Sequence, residues 1–387
     1  MICPGCETSL KRADRVGGTC VHCGRRFALD PWTDGPGMHD VRIRRCVERA
    51  TDDGRLRITL TQLWYASRAA NPVTEAAPSR GVRAWKRWTA ALPLSAALVA
   101  AALSADGAPG VVAAVLAPVV LILAAALRHR PARRASARVQ PARDTFAGLM
   151  RGAWTTVYGG LPRGVVDEAR KAGRKAAGRS PAAAGTGPHR VAIVCDPVIA
   201  RFLTENRIPD LPHTLLVTGT GARKGGSGGL AKVREALDLL AGHAEGLPVV
   251  VLHDADAEGA LLAPALRAAL PGRTVVDAGL RPGAAARNRR AVRLLSSRPG
   301  YDAEVLRTVG GLPDPEAALL AEGWRWPLAA VPPPLLAKAV AGAVEHAVAS
   351  PTPVAAGGAT LAQGFLTWPD PTGRTPQKHD RHDRSTS

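Results

Sequence analysis

The sequence predicts a multidomain chain: a small four-cysteine unit, a helical hairpin that crosses a membrane, and a C-terminal α/β domain built on a parallel sheet. Three observations predict it. Two CxxC pairs lie within the first 23 residues, and a tract of 38 residues holds one ionisable side chain. After residue 190, apolar strand-like runs alternate with helix-like segments. A length of 387 residues suits two or three units. With 40 Gly and 32 Pro but no collagen or heptad period, fibrous classes are excluded. Basic charge is almost all arginine, 43 Arg against 8 Lys, and alanine inflates the 46% hydrophobic fraction, so alanine alone argues little. Clustering of four of the six cysteines excludes a disulfide framework spread over a secreted fold, and a reducing compartment follows.

Residues 1–30 come first. Cys3-Pro4-Gly5-Cys6 and Cys20-Val21-His22-Cys23 each place two thiols on one tight turn, and two such knuckles supply the four soft ligands of tetrahedral zinc. Gly5 and Gly24 let backbone amides turn toward sulfur. The pattern resembles a zinc ribbon, with Arg25-Arg26-Phe27 as return strand, and implies structural zinc on Cys3, Cys6, Cys20 and Cys23. A pair of redox dithiols is the alternative. Four thiolates leave no open coordination position, so the unit binds and does no chemistry; nucleic acid and a cytoplasmic protein partner both remain open. Residues 31–89 read as a small cytoplasmic α+β segment: an element over Met38–Ala50, a turn at Asp52-Asp53-Gly54, and a strand over Leu56–Leu60. Cys46 among arginines is expected to be packed.

Charge is uneven. Residues 1–89 carry 16 Lys and Arg against 9 Asp and Glu, residues 128–190 carry 14 against 3, and residues 191–350 carry 17 against 16. Basic charge thus flanks an uncharged tract, which suits nucleic acid or an anionic membrane surface. From Ala90 to Leu127 only Asp106 ionises, in the turn-like run Asp106-Gly107-Ala108-Pro109-Gly110. The arms Ala90–Ala105 and Val111–Leu127 are near the roughly 17 residues a helix needs to cross a bilayer. Trp85 and Trp88 extend the first arm. Arg80, Arg83, Lys86 and Arg87 precede the pair and Arg128, Arg130, Arg133 and Arg134 follow, so the positive-inside bias puts both flanks in the cytoplasm. A two-pass protein of the cell membrane with both termini cytoplasmic is expected over 90–127. A buried soluble hairpin, with Pro93 and Pro118 interrupting its arms, is the alternative.

After a basic juxtamembrane segment and linker over 128–189, strands are expected at Arg190–Cys195, Thr214–Thr218, Pro248–His253 and Arg273–Asp277. Helices fall at about 197–206, 230–241 and 258–270. Such repetition argues for a parallel sheet whose carboxyl-edge loops gather functional groups. Asp254 and Asp256, two apart on an extended strand end, can face one magnesium ion. Arg223 and Lys224, in a glycine loop without the GxxxxGK[ST] frame, can contact phosphate. His253 is expected to be structural and Cys195 buried. Trp324, Trp326 and a helix near Leu335–Val348 are expected to pack on the sheet. Residues 351–387 read as a disordered tail.

The run Val249-Val250-Val251-Leu252-His253-Asp254-Ala255-Asp256-Ala257-Glu258-Gly259 resembles the DxD motif of Toprim domains, found in topoisomerases, bacterial primases and related nucleases. The resemblance covers about residues 189–280. It implies a Toprim-like sheet, magnesium on Asp254 and Asp256, and phosphoryl-transfer chemistry. The family ends its first strand in glutamate; here that place holds Cys195 and then Asp196, which would assist. Tyr65, Tyr158 and Tyr301 have no strand-passage domain around them, so topoisomerase activity is not expected.

Two functions stand at this level. One is a membrane-anchored zinc-ribbon protein that binds or cleaves DNA or RNA with magnesium. The other is a non-catalytic membrane adaptor with a degenerate Toprim-like fold that binds a protein partner.

Overall fold

Thr59 and Gln62 set the first element that the strand pattern concealed. The Thr59 hydroxyl accepts from the Gln62 amide and the Gln62 side chain accepts from the Thr59 amide, a reciprocal capping box. The expected strand over 56–60 therefore shrinks to β1 (Ile58–Thr59), and Leu60 opens α2 (Leu60–Ala66). The computed structural model describes residues 1–68, 73–74, 84–104, 107–126, 136–137, 141–169, 189–209, 213–218, 228–243, 246–288, 290–295 and 300–349. Asp106, most of the linker, the glycine loop with Arg223 and Lys224, and the tail lie outside them.

The chain divides into two units, 1–72 with 137–387 and 73–136. In the smaller unit, α3 (Ala84–Ser104) and α4 (Ala108–Ala126) pack on each other, and the Ser95 hydroxyl donates to the Ala117 carbonyl at 3.3 Å. Ala91, Ala113, Ala117 and Ala124 are buried, small side chains that let two helices approach closely. Leu92, Leu103, Val111, Ile122 and Leu123 are exposed. Only Ala108–Ala125 is long and apolar enough to cross a membrane among the described helices; Trp88–Ser104 is a shorter apolar stretch. The second helix starts earlier than the turn-like run suggested, because proline is tolerated in a first helical turn.

In the larger unit, the four-cysteine segment contains a 3-10 turn over Ala13–Gly18 and antiparallel bridges Ile2 to Ser9 and Thr19 to Arg26. Next come α1 (Asp40–Ala50), β1 and α2, then α5 (Arg143–Leu149), a π turn over Met150–Trp154 and α6 (Thr155–Tyr158). The helix at 143–158 falls in a stretch whose charge suggested a juxtamembrane segment. Its apolar residues recur every fourth position, and Phe146, Met150 and Trp154 are buried against Leu29, Ile43 and Leu63. β2 (Val165–Val166) pairs in parallel with β1, Ile58 opposite Val165. Val292 and Leu294 complete this core from the C-terminal side of the chain.

Asp40 ties the ribbon to this core. It is fully buried; its carboxylate accepts from the Ala28 amide at 2.8 Å, the Leu29 amide at 2.9 Å and the Tyr158 hydroxyl. Arg57 and Asn206 exchange two hydrogen bonds of 2.7 Å, which joins the same region to the α/β part.

The α/β part contains β3 (Val191–Cys195), α7 (Pro197–Asn206), β4 (Thr214–Thr218), α8 (Gly228–Ala241), β5 (Val249–Val251), α9 (Ala257–Ala269) and β6 (Val275–Asp277). All pairings are parallel in the order β4-β3-β5-β6, with Ile193 opposite both Leu216 and Val250. Side chains alternate between faces. Ile193 and Val250 face Phe202 and Leu203 of α7 and Leu336, Val340 and Val344 of α13 (Pro333–Ala349), the expected C-terminal helix. Ala192, Val194, Val249 and Val251 face Leu240, Ala263 and Leu266. Later in the chain come α10 (Pro282–Arg287), α11 (Ala303–Thr308) and α12 (Asp314–Ala321). Strand order therefore reverses direction between β3 and β5, the place where open α/β sheets put their ligands.

Replacing Asp40 by alanine leaves buried amides without an acceptor. The Asp40→Ala chain should lose about 3 kcal/mol of stability in chemical denaturation; an unchanged midpoint would remove Asp40 as the tie.

Candidate metal centre and the carboxylate edge of the sheet

The two CxxC turns are built alike. Cys3 O accepts from the Glu7 amide at 3.1 Å and Cys20 O accepts from the Gly24 amide at 2.8 Å. Cys3 N donates to Thr8 O at 2.9 Å, and Cys20 N donates to Arg25 O at 3.0 Å. Glu7 and Gly24 both adopt positive φ, 58° and 68°. A Cβ at Gly5 would meet the exposed Arg25 side chain, 2.6 Å from its Cδ.

These turns bring the four Sγ atoms within 4.8 Å of one another. Cys3 and Cys23 are 3.7 Å apart and Cys6 and Cys20 are 3.8 Å apart. Those separations match the edge, about 3.8 Å, of a sulfur tetrahedron around an ion with metal–sulfur bonds of about 2.3 Å. All four cysteines are free. Hydrogen bonds from the Thr8 hydroxyl and amide hold the Cys6 thiol down at about 6. The Arg25 amide favours a Cys23 thiolate, but desolvation and the neighbouring thiols push that group up to about 11. One thiol thus ionises readily, and a metal ion would supply the charge that draws the proton from the last. Donor number, type and spacing fit one metal ion.

At the carboxyl edge of the sheet each predicted acid is held by the chain itself. Asp196 caps α7, accepting from the Val198 amide at 2.7 Å. Asp256 caps α9, accepting from the Gly259 amide at 2.7 Å. Both sit where a helix dipole favours negative charge. Asp254 accepts from the Leu328 amide at 2.7 Å. Between the two acids of the DxD run, Ala255 pairs with Trp326 through bonds of 2.9 and 3.0 Å. The segment entered by β7 (Leu294–Leu295) and β8 (Trp324–Arg325) therefore folds onto the end of β5, and Trp326 and Leu328 are buried there.

The acids still share a field. Burial first, then the Asp256 charge, push the Asp254 carboxyl up to about 6; Asp196 adds to this and Arg325 opposes it. Burial and the Asp254 charge likewise push the Tyr65 hydroxyl up. Among the described residues, the four cysteines are the one group of three or more His, Cys, Asp or Glu side chains whose ligand atoms converge on a metal position.

No protein-family model, curated protein or solved structure matches this chain.

The sequence did not single out Asp277, the partner of His253. His253 Nε2 lies 3.0 Å from Asp277 Oδ1 and Nδ1 lies 2.7 Å from the Asp254 carbonyl. Both are acceptors, so both ring nitrogens must carry hydrogen, and the ring is an imidazolium. Glycines wall it in: a Cβ at Gly279 would come within 2.1 Å of Nε2 and one at Gly259 within 2.5 Å of Nδ1. Burial opposes the charge, but Asp277 outweighs it and the imidazole rises to about 9. Asp277 falls to about 2 because the His253 charge and hydrogen bond overcome its own burial. The carboxyl end of the fourth strand was the available signal for Asp277. Cys195 is buried and its thiol is pushed up by burial. Cys46 is packed, its thiol donating to Ala66 O at 3.6 Å.

Two outcomes follow for measurement. Metal analysis of the full chain should give about one ion per chain, lost in the Cys3→Ser/Cys20→Ser variant; the same content in both would exclude the four-thiol site. The His253 pair contributes fully below the ordinary imidazole value of 6.5 and is lost as pH rises through about 9. Denaturation midpoints should fall across that window. Asp277→Asn, which leaves the imidazole without its counter-charge, should flatten the fall and cost about 2 kcal/mol, less than a fully enclosed pair because Asp277 is partly open to solvent.

Proposed function

We propose that the chain is a membrane-anchored adaptor. A zinc-bound ribbon faces a cytoplasmic partner protein, a two-pass hairpin anchors the body, and the α/β part is a Toprim-like fold used as scaffold. One observation carries the non-catalytic reading: the carboxyl edge above β5, where a magnesium site would need open ligands, is paired with Trp326 and hydrogen-bonded by Leu328. The missing first-strand glutamate agrees with it. Zinc is favoured as the ion because four thiolates in a tetrahedron are its preferred closed set.

Two crossings are supported by connectivity. Residues on both sides of the 73–136 unit build one hydrophobic core, Ile43 and Leu63 with Phe146 and Trp154. That shared core supports a polypeptide that leaves and returns on one side of the membrane. One crossing would split that core, so a crossing α4 requires a crossing or re-entrant α3. The arginine flanks support the cytoplasm as that side.

The raised Asp254 carboxyl favours a second reading, a magnesium-dependent nucleic-acid enzyme. Repulsion among Asp254, Asp256 and Asp196 is what a divalent cation would relieve. The two are separated by incubating the full chain with DNA or RNA and magnesium, beside Asp254→Asn/Asp256→Asn. The adaptor reading expects no cleavage above background in either. Cleavage by the unsubstituted chain that the double substitution lowers by about a hundredfold or more would replace it with the enzyme. Alkaline carbonate should leave the chain in the membrane; release into the supernatant would refute anchoring.

A further inference from the structure

At the amino edge of the sheet, opposite the aspartates, two histidines meet from segments far apart in sequence. His189 precedes β3 and His243 follows the last turn of α8; their ring centroids lie 5.0 Å apart and the rings are inclined by 43°. Each ring is fixed through the same atom. His189 Nδ1 lies 3.3 Å from His213 O, just ahead of β4, and His243 Nδ1 lies 3.1 Å from Leu239 O of its own helix. Both acceptors are carbonyls, so both Nδ1 atoms carry hydrogen and each neutral ring keeps its lone pair on Nε2. His253 differs, because both of its nitrogens face acceptors and neither is left for a ligand. An Nδ1–H held by a backbone carbonyl is the arrangement that orients metal-binding imidazoles.

The backbone around the pair sets where Nε2 points. In the sheet, β3 lies between β4 and β5. His189 turns Nδ1 to the β4 side, which leaves its opposite edge, with Nε2, to the side of β5 and β6. His243 is held on that side: its carbonyl and that of Leu240 accept from Nη2 of Arg273, just ahead of β6, at 3.0 and 3.2 Å. Two imidazoles on one ion, with metal–nitrogen bonds of about 2.0 Å, have ring centres about 4.5 to 5.2 Å apart for square to tetrahedral angles at the metal. The observed spacing falls in that range. The carbonyl end of α8 adds a field that favours a cation. Both rings are half-buried, open enough for water to reach an ion. We propose that His189 and His243 bind one first-row divalent transition-metal ion through Nε2, with water completing the shell, and so clasp the end of α8 to the start of β3. Imidazole suits nickel, copper and zinc, whereas magnesium prefers oxygen. The site is separate from the four thiols and does not depend on membrane anchoring.

The test uses the full chain with one equivalent of zinc, which four thiolates take first, and nickel(II) as the probe. Carbethoxylation of histidines, read by mass spectrometry, should slow at His189 and His243 together when nickel is added, while the exposed His22 keeps its rate. Equilibrium dialysis should give one nickel per chain beyond the zinc, bound about tenfold or more weakly by His189→Ala and by His243→Ala. The footprint needs no variant and stands even if a substituted chain fails to fold. Protection of neither ring, or of only one, overturns the proposal and leaves the pair as stacked aromatic rings. Equal protection of His22 overturns it too, as does a nickel affinity that both substitutions leave unchanged.

Discussion

The shared core of residues on either side of the 73–136 unit is the constraint on which the rest depends. Leu29, Ile43 and Leu63 arrive before the insertion and Phe146, Met150 and Trp154 after it, and all six are buried in one cluster. The parallel pairing of Ile58 with Val165 repeats the arrangement in the backbone. Burial of such side chains is worth about 2 kcal/mol each, so separating the two halves of this core would unfold the region. The four-cysteine segment is tied to it through Asp40 and the α/β sheet through Arg57 and Asn206.

The sheet edge shows how one set of residue types can serve architecture or chemistry. Aspartates at strand ends are well placed for a cation and equally well placed to cap the next helix. Here Asp196 and Asp256 each spend an oxygen on a helix amide and Asp254 spends one on Leu328. The Ala255 to Trp326 pairing then occupies the edge itself. A buried imidazolium held between Asp277 and the Asp254 carbonyl fixes the backbone of this turn. Each of the three carboxylates thus has one oxygen bonded to a backbone amide of the fold.

Much of this was legible in the sequence for physical reasons that can be named. The thiol cluster was readable because each CxxC closes a local turn and four sulfurs have few uses in 21 residues other than a metal. The four strands were readable because a sheet covered on both faces needs continuous apolar runs such as Val249-Val250-Val251. What the sequence concealed depends on contacts remote along the chain. Asp277 meets His253 across adjacent strands, Leu328 reaches Asp254 from 74 positions away, and neither leaves a local mark. The helix of α2 was hidden behind apparent alternation at 56–60, although Thr59 and Gln62 held the capping signal. The residues at 143–158 were masked by the surrounding arginine excess, which draws attention to charge and away from the fourfold spacing of Phe146, Met150 and Trp154.

The hydrogen bond from Trp64 to Pro141 joins stretches of the larger unit that lie before and after the 73–136 insert in sequence. A loop of that form behaves as a cassette. Its length and composition can drift, or the whole insert can be excised and its stumps joined by a short bridge, without altering the path of the polypeptide elsewhere. The insert is modular in the sense that a single splice would add or remove it.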